Sequence, residues 1–183
     1  MNDALLADEL RTGSPDVLDA LLARFGPEIQ TVAFLILRDR QEAEDVVVET
    51  LLTALRRIND LRDPLALRPW LLRIATNRAL GIRRHGARVV QLEILPDRVQ
   101  GLDSTSDAAI RLTLLAGVAR LPPRMRAAVV LRYYADLSVE EVATALGRSP
   151  NTIKSQLQVA LDHLRLALAD PPGSNSLAEV LHD

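Results

Sequence analysis

The sequence predicts an all-α protein made of two small helical domains joined by a flexible linker. Three observations carry that expectation. Apolar residues make up 48% of the 183 and are mostly Leu, Ala, Val and Ile, with Leu and Ala strong helix formers, whereas aromatics are only 3%. Apolar positions recur at helical spacing through most of the chain. One stretch, 86–106, loses that periodicity and holds Pro96, Gly101 and the Asp103–Ser106 cluster, the composition of a linker. It divides the chain into domains at 1–85 and 107–170 and leaves a tail at 171–183, which its composition predicts to be disordered. Leu177, Val180 and Leu181 give that tail the spacing of one short amphipathic turn.

In chain order, Ser14-Pro15 reads as a helix start, with an N-cap oxygen followed by proline at the first helical position. Val17, Leu18, Leu21, Leu22 and Phe25 follow at helical spacing; Gly26-Pro27 should interrupt or kink the helix before Ile29, Val32, Ala33, Ile36 and Leu37 resume it. Asp39 with Glu42 has the form of a capping box and opens a helix reaching about Ile58. The inward stripe of that helix is expected to be Ala43, Val46, Val47, Leu51, Ala54, Leu55 and Ile58. Asn59 to Pro69 reads as a loop, and Pro69 as the start of a helix whose core face is Trp70, Leu71, Ile74 and Ala75. Arg73, Asn77 and Arg84 share its opposite face, and Gly81 weakens it by roughly 1 kcal/mol relative to alanine. In the second domain, Pro122-Pro123 separates two helices.

Composition and charge narrow the function. Without cysteine, disulfides and thiolate metal sites are excluded. His85, His163 and His182 lie in a basic stretch, a helix and the tail, with neither metal-ligand nor acid–base spacing, so no metal, cofactor or catalytic residue is expected and an enzyme is disfavoured. Asp3, Asp8 and Glu9 stand where a signal peptide would be basic. No apolar run approaches the ~20 residues that cross a bilayer. Both features make the cytoplasm the expected location. The net charge of −2 hides a strong asymmetry. From Pro64 to Leu92 there is no acidic residue, and Arg68, Arg73, Arg78, Arg83, Arg84 and Arg88 all fall inside; upstream, Asp39, Glu42, Glu44, Asp45 and Glu49 crowd together. A basic block beside an acidic one suggests two partners of opposite charge, the bland alternative being two solvated helix faces.

The strongest local signal runs from Leu137 to Leu168 and has the grammar of a helix-turn-helix. Ser138 and Glu141 form a capping box for a short helix containing Val142 and Leu146, Gly147 supplies a turn needing positive φ, and Ser149-Pro150 starts a second helix. Ile153, Leu157, Ala160, Leu161, Leu164 and Leu168 are that helix's expected buried positions. Ser149, Asn151, Thr152, Lys154, Ser155 and Gln158 are left at its N-terminal end, where a recognition helix meets base edges and phosphates. A plain antiparallel helix pair with a polar end is the competing reading.

Taken together, Leu121-Pro-Pro-Arg-Met-Arg126, Leu131-Arg-Tyr-Tyr134, Leu137-Ser-Val-Glu-Glu-Val-Ala143 and Asn151-Thr-Ile-Lys-Ser155 resemble region 4 of the sigma-70 family, in its extracytoplasmic-function group. Ala43-Glu-Asp-Val-Val-Val-Glu-Thr50 and Trp70-Leu-Leu-Arg-Ile-Ala-Thr-Asn77 resemble region 2 of the same group. The resemblance covers roughly Ser14 to Leu168. It implies a promoter-specificity subunit that binds core RNA polymerase and promoter DNA, with an anti-sigma factor as a further partner of the kind the family has. It also implies that the acidic helix with Glu42, Asp45 and Glu49 docks on polymerase, and Asp45 and Glu49, like charges at i and i+4, would be relieved by a basic partner. For the −10 element it implies Leu61, Arg62, Arg73, Asn77, Arg83 and Arg84, with Asn77 at the position that contacts an unstacked base. For the −35 element it implies the Ser149–Gln158 set.

The chain departs from the family's pattern in three places. Gln156, Gln158, Val159 and Leu161, with Asp162 beyond, stand where several basic residues are common, which implies fewer phosphate contacts. Leu61 replaces a frequent aromatic, and Val48 a frequent glutamine. Two alternatives therefore stay open: a sigma-like protein without full −35 recognition, and a helix-turn-helix regulator acting without polymerase.

Overall fold

The computed structural model describes residues 2–85 and 105–169, with side chains placed over 2–82 and 110–169. Most of the expected linker and the whole of the expected tail lie outside these residues, as do the side chains of Arg83 and Arg84. Eight α-helices and no strand occur among the described residues.

The first helix, α1 (Asp3–Thr12), has no counterpart in the sequence reading. Its signals are present at short range: Asn2 accepts a bond from the Ala4 amide, Leu6, Ala7 and Leu10 are buried, and Gly13 ends it at φ 71°. Arg24 holds it to α2 (Val17–Leu37) through Asp3, at 3.0 Å from Nε. Helix α2 starts after a turn through Ser14-Pro15, with Asp16 at the N-cap and not Ser14. Proline 27 does not interrupt it. Pro27 lacks only an N–H, and Thr31 Oγ1 adds a bond to the Pro27 carbonyl at 2.8 Å. By length and composition α2 is apolar enough to cross a membrane, contrary to the expectation from the sequence. However, 61% of its most apolar window is buried against its neighbours, as befits the central helix of a bundle.

Helix α3 (Arg40–Arg57) carries the Asp39 half of the expected box, Asp39 Oδ1 accepting from the Glu42 amide at 3.0 Å. Ala43, Val46, Val47, Leu51 and Ala54 face the core. Leu55 does not: with Val48 and Leu52 it forms an exposed apolar strip on the outer face. Two single 3-10 turns, Ile58–Asp60 and Pro64–Ala66, lead into α4 (Leu67–His85). That helix begins two residues before Pro69, which therefore sits in the first turn, where a missing N–H costs nothing. Helices α2, α3 and α4 pack mutually, with α1 along one side.

The second unit comprises α5 (Thr105–Arg120), α6 (Pro123–Val129), a π turn at Val130–Tyr134, α7 (Val139–Leu146) and α8 (Pro150–Ala169). Pro122 caps α6, so the two prolines separate helices as expected. On α8, Ile153, Leu157, Ala160 and Leu164 are buried, but Leu161 is half-buried and Leu168 exposed. The units are not apart. α7 packs on α4, and α6 and the π turn reach α2, so the buried apolar side chains of both form one cluster.

Candidate nucleic-acid interface

The helix-turn-helix is built by three local devices. Ser138 Oγ accepts from the Glu141 amide at 3.2 Å while Glu141 Oε2 accepts from the Ser138 amide at 2.7 Å, the reciprocal box that starts α7. Gly147, at φ 61°, turns the chain, and the Arg148 amide donates to the Ala143 carbonyl to close that helix. Ser149 Oγ then accepts from the Thr152 amide at 3.1 Å, and Pro150 occupies the first helical position of α8. With Ile153 and Leu157 buried, Asn151, Lys154, Ser155 and Gln158 fall on one exposed face at i, i+3, i+4 and i+7.

Part of this face is engaged within the protein. Ser149 and Thr152 share a hydroxyl–hydroxyl bond of 2.8 Å and belong to the cap. The Gln158 amide donates to Asp162 Oδ1 at 3.3 Å, and Arg165 pairs with the same oxygen at 2.7 Å. Lys154 is thus the free cation of the face among the described residues. Arg148, exposed in the turn, adds a second charge that the sequence reading passed over, although its place between Gly147 and the α8 cap was the signal.

On α4, Arg73 and Asn77 share one face that α7 covers only in part: Arg73 is half-buried and Asn77 remains exposed. Asn77 Nδ2 donates to the carbonyl of Ala145 on α7 at 3.3 Å. A cleft of about 600 Å³ surrounds this contact, lined by Thr53, Arg57, Arg73 and Asn77 on one side and Thr144 and Gly147 on the other. In an adjoining cleft, Arg62 and Arg73 share the lining with Glu140 and Glu141 of α7. Leu61 requires correction as a base-contacting residue: its side chain is 4% exposed and packed in the core, and Arg11 donates to its carbonyl at 2.8 Å. A leucine in that position anchors the loop from within, where an exposed aromatic would have offered a stacking surface. Arg62 beside it is exposed.

The arginine block also serves structure. Arg68 pairs with Glu28 of α2 (Nε to Oε2, 3.0 Å) and donates through Nη2 to the Ala135 carbonyl of the second unit at 2.6 Å. The hydrogen bond to Glu28 is the main reason its pKa rises above the ordinary arginine value, with partial burial acting against it. Arg78 donates to Glu49 Oε1 at 2.8 Å. Glu49 therefore has a basic partner inside the protein, which removes it as a pure sign of an external one. Glu42 lies in the first turn of α3, where its charge suits the helix dipole, and Asp45 is exposed without an ion-pair partner among the described residues.

Comparison with known proteins decides the family. Sigma-70 region 2 matches residues 21–89, which hold most of α2, then α3 and α4. Sigma-70, region 4 matches residues 111–164, which hold most of α5, then α6 and α7 and most of α8. The chain belongs to the sigma-70 family, in its extracytoplasmic-function group. Among relatives of this sigma factor, ECF RNA polymerase sigma factor SigL of Mycobacterium tuberculosis is 35% identical over 140 residues, 72% of this chain and 77% of that protein. ECF RNA polymerase sigma factor SigE of Mycolicibacterium smegmatis is 31% identical over 159 residues, 82% of this chain but 61% of the longer relative. The fold is shared with the sigma factor RpoE of Bartonella quintana, crystallised with the anti-sigma factor NepR, at a TM-score of 0.68 and 22% identity over 85% of this chain and 99% of that one.

Proposed function

We propose that this sigma factor works as a promoter-specificity subunit whose two readers lie on α4 and α8 and whose polymerase mount is the exposed face of α3. The observation that carries the proposal is the order of the two matched regions along the chain, each with a polar face at its reading helix. On α4, Arg73 and Asn77, with Arg83 and Arg84 continuing the same helix, capture the unstacked −10 strand: an amide offers both donor and acceptor to a base edge, and the arginines hold phosphates. Arg62 at the head of this helix assists. On α8, Asn151, Lys154, Ser155 and Gln158 enter the major groove of the −35 element, while the capped N-terminus with Ser149 and Thr152 meets phosphate. On α3, Asp45 supplies the charge, with Glu42 and Glu49 flanking it and Val48 and Leu52 as apolar neighbours. In this reading the chain acts in the cytoplasm and performs no bond chemistry. Core polymerase does that. An anti-sigma factor that covers these faces is a fitting regulator, since RpoE of Bartonella quintana is held by one.

The test is transcription by core polymerase with and without the purified protein on genomic DNA, followed by sequencing of transcript 5′ ends. A common two-part element upstream of the new starts is expected, and Asn77→Ala should lower initiation there without lowering core binding. No association with core polymerase would overturn the reading.

A second reading, promoter use without a −35 element, is favoured by one observation: Gln158 and Arg165 both turn to Asp162, leaving the reading face poor in positive charge. Unchanged promoter choice by a Lys154→Ala/Gln158→Ala variant would select it.

A further inference from the structure

We infer that residues 176–183, at the C-terminal end of the chain, fold back and dock through Leu177, Val180 and Leu181 on an apolar face that α5 and α8 leave uncovered. The inference does not depend on the roles given to α3, α4 and the start of α8.

The face lies beside the crossing of α5 with the far half of α8. A Cβ on Gly117 would stand 2.9 Å from Leu164 Cδ2 and 3.5 Å from the Ala167 Cβ, so glycine lets the two helices approach closely there. One and two turns back along α5, Leu114 and Ile110 lie on the side that carries Gly117. One turn on from Leu164, Leu168 continues the same side of α8. Leu164 is buried, but Leu114, Ile110 and Leu168 are 39%, 54% and 41% exposed among the described residues. The apolar rows of both helices therefore run past the point where anything described covers them.

The chain itself supplies an occupant with the right reach, pattern and charge. Helix α8 ends at Ala169, and Pro171-Pro172-Gly173 follows, two residues that cannot continue a helix and one that permits a reversal. Seven residues separate Ala169 from Leu177, a reach of at most about 28 Å, and the α5 row from Gly117 back to Ile110 spans only about 10 Å. Ser176 and Glu179 have capping-box spacing, which starts a helical turn at Leu177. Leu177, Val180 and Leu181 then share one side of that turn at i, i+3 and i+4. So short a helix does not sustain itself in water, and packing must supply what propensity lacks. Charge favours the same pairing. Residues 170–183 hold Asp170, Glu179 and Asp183 with no lysine or arginine, whereas 108–120 and 163–169 hold Arg111, Arg120, His163 and Arg165 with no acid. The 86–104 segment, the other source of apolar side chains, lacks helical spacing and carries charges of both signs. Docked, the tail braces the far end of α8 and withholds this face from any other apolar helix, which would have to displace it.

The absence of native cysteine allows a single nitroxide to be placed on the full-length His182→Cys variant, with methyl signals read by NMR. Docking predicts that the methyls of Ile110, Leu114 and Leu168 lose at least half their intensity, while those of the exposed Leu5 on α1 keep theirs. Adding Leu177→Asp/Leu181→Asp to the labelled chain should restore the three signals. In the unlabelled chain the same two substitutions should speed amide hydrogen exchange over residues 163–169 at least threefold. No loss at the three methyls, as would follow if 86–104 covered the face, overturns the inference, and so does an equal loss at Leu5. Exchange over 163–169 that the aspartates leave unchanged also overturns it. An equimolar mixture of nitroxide-bearing and isotope-labelled chains separates fold-back from a second copy: the same loss in the mixture would put a neighbour's tail on the face and refute docking within one chain.

Discussion

Arg126 offers the sharpest energetic prediction, because one side chain ties three backbone segments together while only 3% exposed. Its guanidinium donates to the Ala119 and Leu121 carbonyls at the end of α5 and, through Nη1, to the Ile36 carbonyl at 2.8 Å. Ile36 lies in the last turn of α2, which has no basic residue of its own, so Arg126 supplies from the other unit the cation that a helix C-terminus favours. In Arg126→Met the stem remains and the three donors go. An orphaned buried carbonyl costs about 1–3 kcal/mol, so three give an upper limit of roughly 9 kcal/mol. Removing the charge also removes its desolvation penalty of several kcal/mol, and solvent reaches the partly buried Ala119 carbonyl. The net loss should be about 2–4 kcal/mol, a large part of the 5–15 kcal/mol typical of a folded domain. Urea unfolding of the full chain followed by far-UV circular dichroism measures it. Arg126→Lys should recover less than half, because a single ammonium cannot span three carbonyls as the planar fork does. A loss below about 0.5 kcal/mol for Met, or a lysine variant as stable as the parent, would refute this account of the buried charge.

Other outcomes follow from the same geometry. Gly147→Ala should cost about 1–2 kcal/mol of stability by urea unfolding, with Gly147→Asn costing less; nothing lies within 4 Å of the added Cβ, so the penalty is backbone strain at φ 61° alone. Asp45→Lys should weaken core polymerase binding roughly tenfold, about 1.4 kcal/mol, in a fluorescence titration, whereas its thermal stability should match the parent because Asp45 has no internal partner among the described residues. Lys154→Ala should lower duplex affinity and reduce the slope of log affinity against log salt by about 1, as loss of one phosphate contact requires. A slope that does not change would place Lys154 away from phosphate.

Local patterns carried most of the fold. The Ser138/Glu141 box, Gly147, the Ser149-Pro150 start and the Asp39 cap are interactions among neighbours three or four residues apart, and each appears where the sequence put it. The errors also have local causes. Helix α1 gives a weak periodic signal, ten residues with three inward positions, and its stability comes from packing on α2 and on the turn at Pro64–Ala66. Gly26-Pro27 looked like a break, but inside a buried three-helix bundle the loss of one hydrogen bond does not outweigh the packing on both sides. Periodicity marks a stripe without marking its width, so Leu55 and Leu168 fall in inward stripes yet are exposed among the described residues.

The sequence by itself determined the class, the two units, most of the caps and the exposed polar face of α8, because these depend on periodicity and on bonds that close within one helical turn. Only the tertiary structure decided that Leu61 is core, that Glu49 already has Arg78, and that Asn77 meets Ala145 across 68 positions of chain. A side chain's partner at such a separation depends on how whole helices stack, and no pattern along the chain encodes which carbonyl a given amide will find.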